Sequence, residues 1–274
     1  MKQIVVSREW KVMLKTTRFY GSRSTLQKAA QMFWRSFSNS IEGIAIGVDG
    51  SLTAIEKQKT VSFYDTGGRH LHSNNYLFRE RVDVDAEERE VTLKFRHPDR
   101  YVSQDRDMAS ARPEEGVTKF EEDIKLPFTT LYSFSTTQPI SRGKTLDRLR
   151  DVVALYPGIK KRLGSVPKDE PIEIVGSFIA REIVIAGASF RLERKPKREA
   201  ECALIVWYGD AGQEDKPVVV EFSFRYGNKH EEYERDAALR AYDAFGAMQK
   251  SLADWIDPDA ATKTAFVYEQ TGKL

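Results

Sequence analysis

The residues from Ser7 to Leu14, SREWKVML, alternate between two kinds of side chain. Successive side chains of a strand point to opposite faces. Ser7, Glu9, Lys11 and Met13 therefore share one side of an extended chain, and Arg8, Trp10, Val12 and Leu14 the other. The pattern returns along the chain. Arg79 and Arg81 oppose Phe78 and Val82, and Thr92, Lys94 and Arg96 oppose Val91, Leu93 and Phe95. Lys119, Glu121, Asp123 and Lys125 oppose Phe120, Ile124 and Leu126. Arg191, Glu193 and Lys195 oppose Phe190 and Leu192, and Glu221, Ser223 and Arg225 oppose Val220, Phe222 and Phe224. At least six strands thus carry one ionic and one apolar face.

An open sheet with one wet face accounts for any one such strand. Wet faces of ordinary sheets collect Thr, Ser and mixed polar residues; here Arg and Lys sit beside Glu and Asp, strand after strand. If these faces converge, the apolar faces need cover from outside. The expectation is an α+β fold: an antiparallel closed or nearly closed β-barrel, a tunnel with a charged interior and helices packed outside. Such an interior is costly unless its charges are paired, hydrated or matched by a ligand. A phosphate-rich ligand with bound divalent cations would satisfy both signs of charge.

The rest of the chain supports one domain over 1–274. Strands are expected at about 3–15, 59–66, 74–83, 88–97, 117–126, 172–185, 188–196, 202–209 and 217–226. Apolar stripes at Leu26–Phe37 (N-cap Ser24), Leu146–Tyr156 and Ala237–Trp255 predict three helices, the last a closing helix over about 232–254. The acidic run at 83–90 reads as a hairpin loop and 101–116 as a long mobile connection. The 43 basic and 41 acidic residues nearly cancel, which leaves no general nucleic-acid footprint. One cysteine, Cys202, excludes an internal disulfide, and no stretch is apolar enough for a membrane span or signal peptide; a cytoplasmic location is expected. His70 and His72 share a strand-like face without a third ligand nearby, and the glycine turns match no phosphate loop. The basic run 191–198 reads as a strand end with a charged hairpin.

Five stretches in order resemble the CYTH proteins, or triphosphate tunnel metalloenzymes. Glu9 and Lys11 fit that family's opening Glu-x-Glu-x-Lys strand. VSFYDTGGRHLHSNNYLFRERV fits its Tyr-Asp-Thr turn and Arg-x-Arg strand, through Tyr64, Asp65, Thr66, Arg79 and Arg81. VTLKF fits its Thr-x-Lys strand through Thr92 and Lys94, and KFEED its basic and acidic strand through Lys119, Glu121 and Asp123. VVVEFSF, followed by a long helix, is similar to its Glu-x-Glu strand, through Glu221. The resemblance covers about residues 4–254 and is most specific at 63–96. It departs where Ser7 and Ser223 stand in place of glutamates. The strand before the last offers only Asp210, near a turn, and Glu193 is a further acid on a separate strand.

The resemblance implies a tunnel that binds an inorganic, nucleoside or organic triphosphate. Lys11, Arg79, Arg81, Lys94 and Arg181 would cradle the phosphates. Glu9, Glu121, Asp123 and Glu221 would hold Mg²⁺ or Mn²⁺, and water would attack without a side-chain nucleophile. Divalent-metal-dependent hydrolysis is the expected activity, with ATP cyclisation the weaker one. The alternative is a tunnel that binds phosphate-rich ligands with little or no turnover, because the two serines weaken the metal site. Arg79 and Arg81 could instead be structural partners of Glu121 and Asp123. An apolar ligand would require an apolar interior, which the ionic faces oppose.

Overall fold

The structure, a computed structural model, describes residues 3–55, 58–83, 86–209 and 215–270. Its strands are β1 (Ser7–Met13), β2 (Gly47–Ile55), β3 (Lys59–Thr66), β4 (Tyr76–Asp83), β5 (Glu88–His97), β6 (Val117–Lys125), β7 (Thr129–Ser141), β8 (Ile172–Ile174), β9 (Ala180–Glu193), β10 (Arg198–Tyr208) and β11 (Val219–Gly227). Its α-helices are α1 (Arg23–Ser40), α2 (His70–Ser73), α3 (Arg100–Gln104), α4 (Leu149–Leu155), α5 (Arg235–Ser251) and α6 (Lys263–Gln270).

Nine strands close into a ring in the order β9, β10, β11, β1, β6, β7, β5, β4, β3 and back to β9, with β2 and β8 added at its margin. The ring closes where Lys59, Thr60 and Val61 of β3 meet Glu182, Arg181 and Ala180 of β9. The pairing is antiparallel throughout except between β1 and β6, which run parallel.

The apolar faces of the strands meet helices outside the ring. Leu26, Ala30, Phe33 and Phe37 of α1 are fully buried, and Phe37 packs on Phe222 and Phe190 with ring centroids 5.0 and 5.7 Å apart. Phe245 of α5 meets Trp10 at 5.1 Å in the same cluster. Leu149, Val152 and Leu155 of α4 cover β4, β5 and β7 through Phe78, Leu93 and Phe134. Burial of this kind is worth roughly 1.5–3 kcal/mol per large apolar side chain, so the outer layers hold the ring while its inner face stays polar.

Several local expectations change. Ser22, not Ser24, caps α1 by accepting from the Thr25 amide. The predicted strands 172–185 and 188–196 are mainly one strand, β9, preceded by the short β8. A bulge at Gly187 (φ +98°) had the look of a break. It shifts the alternation by one residue, so Ile183 and Ile185 before it and Ala188 and Phe190 after it all reach the outer core. Segment 101–116 is packed down: Ser103, Met108 and Ser110 are buried, and Ser110 donates to Gln138. His70 and His72 lie on the short helix α2, not on a strand. Residues 84–85 of the acidic hairpin and Asp210 lie outside the described residues.

Candidate functional site

The inward positions of β1, β4, β5, β6 and β11 surround a cavity of about 490 Å³. Glu9, Lys11, Arg79, Arg81, Lys94, Glu121 and Glu221 all line it, so seven of the nine expected site residues come together. Nine basic side chains line the cavity against four acidic ones, and Asp123 lies just behind the wall, so its field is positive. A second cavity of about 1030 Å³ adjoins it under β9 and β10, sharing Glu9, Arg81, Ile205 and Arg225.

Asp123 is 1% exposed and anchors the cations. Its carboxylate lies 2.9 Å from Lys11 Nζ, 3.4 Å from Lys94 Nζ and 3.6 Å from Arg96 Nε, and it accepts from Ser133 Oγ at 2.5 Å. Burial alone would raise its pKa, but Lys11, Lys94 and Arg96 outweigh that and hold it well below the usual range. Burial would likewise lower Lys11, but Asp123, Glu9 and Glu221 win and raise it. Lys94 goes the other way. Burial dominates, Asp123 only partly offsets it, and Arg96 and Lys11 repel its charge, so its pKa falls to about 8.

Arg79 and Arg81 are held differently. Arg81 Nη2 lies 3.2 Å from Glu182 on β9, whose carboxylate also accepts from Trp207 Nε1 at 2.9 Å. Arg79 donates to the Thr92 hydroxyl at 3.2 Å, and its pKa is lowered, first by burial and then by Arg81. The Nε atoms of both arginines are buried without a hydrogen-bond acceptor among the described residues.

Arg181 does not join the site. Glu182 faces inward, so its neighbour Arg181 faces outward, with its guanidinium 4.7 Å over the Tyr208 ring. Glu193 also lies elsewhere, 3.5 Å from Arg240 of α5. Asp65 is structural: it accepts from the amides of Thr66, Leu71 and His72 and from Tyr268. Cys202 is buried, as a small core residue would be.

Several charged groups of the two cavities escaped the expected set, Glu90, Lys119 and Lys125 among them. Arg96 and Arg225 continue the inward faces of β5 and β11, and that alternation was their signal. Glu182 follows from the same rule on β9. Lys263 on α6 had no sequence signal. It reaches Glu221 at 2.8 Å, beside Thr262 and Thr264. Behind it, Val267 and Tyr268 of α6 pack with Val61, Phe63, Leu77, Trp207 and Val219. By strand alternation these five face inward, so an apolar cluster lies inside the ring behind Lys263.

Each carboxylate of the expected metal set has a partner. Glu9 lies 2.8 Å from Lys11, Glu221 meets Lys263, Asp123 is ringed by three cations, and Glu121 accepts from Ser7 Oγ at 2.8 Å. Among the described residues, no three Asp, Glu, His or Cys side chains converge as cation ligands. A hard divalent cation needs several oxygen ligands of its own. The donor set as arranged does not fit one.

No family model and no curated protein matches the chain. Solved structures with a related chain path include a candidate adenylyl cyclase from Hippeastrum, described as having a dominant triphosphatase activity. It is 13% identical with a TM-score of 0.46, over 98% of this chain and 97% of that one. A candidate adenylate cyclase from Vibrio parahaemolyticus is 12% identical with a TM-score of 0.36, over 96% and 99%. One from Bacillus halodurans is 13% identical with a TM-score of 0.37, over 96% of each chain. Likeness at this level leaves function to the side chains. No described helix is long and apolar enough to cross a membrane.

Proposed function

We propose that this protein binds phosphate-rich anions, a triphosphate above all, in the chamber inside the ring. The supporting observation is the excess of basic over acidic side chains around one cavity, Arg79 and Arg81 among them. Arginine and lysine suit phosphate oxygens through charge-assisted hydrogen bonds. Calorimetric titration with tripolyphosphate, ATP and sulfate tests the reading. Tripolyphosphate and ATP should bind far more tightly than sulfate, and equal weak binding of all three would defeat it.

The affinity should depend on pH through Lys94. Its pKa is about 8 in the free protein. A bound anion stabilises the ammonium form and raises that value, so binding takes up a proton once Lys94 starts to lose its own. Affinity for tripolyphosphate should fall as pH rises above about 8, until the raised pKa of Lys94 in the complex is passed. Calorimetry in buffers of different ionisation enthalpy measures the proton uptake, and Lys94→Met should abolish it.

Hydrolysis of the bound triphosphate with Mg²⁺ or Mn²⁺ is a second reading, favoured because Glu9, Glu121 and Glu221 line the same cavity as the arginines. The pairing of those carboxylates points to slow turnover at most. Ser7 and Ser223 also face the ring interior, where a carboxylate would add ligands. Ser7→Glu with Ser223→Glu should lower the melting temperature without metal, through crowded like charges. Added Mn²⁺ should restore it and raise phosphate release from tripolyphosphate. Ordinary enzymatic rates in the parent, unimproved in the double variant, would contradict this view of the serines.

A further inference from the structure

The carboxylates of the chamber are neutralised from within, and two lysines do most of it. Lys11 Nζ bridges Glu9 at 2.8 Å and Asp123 at 2.9 Å. Lys263 Nζ takes Glu221 at 2.8 Å. Lys263 is presented on a docked element. Tyr268 of the same helix donates to Asp65 at 3.0 Å, and Phe266 packs edge-on against Phe178 at 5.4 Å. Its ammonium also lies 5.8 Å from the Trp207 ring centroid, which favours a cation there.

An ammonium carries three hydrogen-bond donors. Lys263 spends one on Glu221, lines the cavity, and has no second carboxylate in ion-pair range among the described residues. It can therefore hold a carboxylate and a phosphate oxygen together, which is the bridging role a divalent cation would otherwise play. Thr262 and Thr264 set hydroxyls beside it.

We propose that the chamber binds oligophosphates without a divalent cation, because the ammonium groups of Lys11 and Lys263 stand among its carboxylates in the cation's place. The proposal rests on the oligophosphate reading above. It makes Lys263 a ligand-contacting residue and the metal dispensable for binding.

The test uses the full chain and three titrations: tripolyphosphate in EDTA, tripolyphosphate with Mn²⁺, and Mn²⁺ alone followed by electron paramagnetic resonance. The wild-type protein should bind tripolyphosphate in EDTA and take up no Mn²⁺ by itself. Lys263→Gln should bind tripolyphosphate about tenfold more weakly in EDTA, the loss of one charge-assisted hydrogen bond. It should also gain Mn²⁺ binding, with Glu221 released. Lys263→Arg, which keeps the charge, should behave like the wild type. Wild-type binding that requires Mn²⁺ would overturn the proposal and leave the oligophosphate reading standing, as would Mn²⁺ binding equally to wild type and Lys263→Gln. No tripolyphosphate binding under any condition would bring down that reading and this proposal together. The wild-type arms decide the matter even if a variant folds poorly.

Discussion

Replacing Arg79 with methionine should weaken tripolyphosphate binding about 10- to 100-fold, the cost of one or two charge-assisted hydrogen bonds to phosphate. The same substitution should raise the melting temperature of the ligand-free protein. Arg79 has no carboxylate partner within ion-pair distance among the described residues; it is buried, repelled by Arg81, and tied only to the Thr92 hydroxyl. Its charge costs stability until an anion arrives, and methionine keeps most of the side-chain volume. Arg81 provides the contrast. It pairs with the buried Glu182, so Arg81→Ala should weaken binding and lower the melting temperature as well, because it strands a carboxylate. Differential scanning calorimetry beside the titrations separates the two. If Arg79→Met melts lower and binds normally, Arg79 belongs to the scaffold and not to the ligand.

Asp123→Asn should be among the most damaging single changes in the ring. It leaves Lys11, Lys94 and Arg96 crowded around a neutral group in a buried place. Breaking a buried pair by removing one partner costs about 3–5 kcal/mol. In a chain of this size that lowers the melting temperature by about 5–9 °C. Tripolyphosphate should recover more stability in this variant than in the wild type, because the anion supplies the missing charge and binds only the folded form. The acid side adds a check of sign. The pKa of Asp123 is depressed in the folded protein, so its contribution is complete above the unfolded value of about 4 and is lost as pH falls further. Acid unfolding of Asp123→Asn should lack that part of the pH dependence. An unaltered melting temperature would mean that the three cations relax into water and that Asp123 is not their anchor.

Strand alternation made much of the ring legible. Where charge and apolarity alternate strictly, as in β1, β5, β6 and β11, the inward set could be read directly, and these strands supply most of the chamber. β7 was missed for a related reason. Its sequence, TTLYSFSTTQPIS, has no charge to mark a face, and its inward hydroxyls, Ser135 and Thr137, resemble a polar loop. β2 was missed because its burial pattern is almost wholly exposed, with Leu52 its one buried residue. Arg181 was misplaced because charge was read without parity; Glu182 beside it took the inward position. The pairing of the carboxylates could not be read at all. Lys11 and Glu9 are near neighbours in sequence, but Asp123 reaches Lys11 only through strand register, and Lys263 reaches Glu221 only through a short, weakly amphipathic helix docked on the ring. Such contacts depend on closure of the ring, which no local window contains.

The placement of β1 bears on how the chain can assemble during synthesis. It is the first strand of the described chain, yet its two neighbours are β6, over a hundred residues later, and β11, near the far end of the described chain. Both edges of β1 stay unpaired on the ribosome until those segments emerge, and unpaired edges invite association with other chains. Pairings this distant in sequence are also slow to form, because the loop must close before any contact rewards it. The interior lysines and carboxylates then remain hydrated through most of the process and are drawn out of water only in the last step, when β11 and the C-terminal helix arrive. Until β11 pairs with β1 and β10 the ring stays open, and until α6 docks Glu221 lacks its lysine partner.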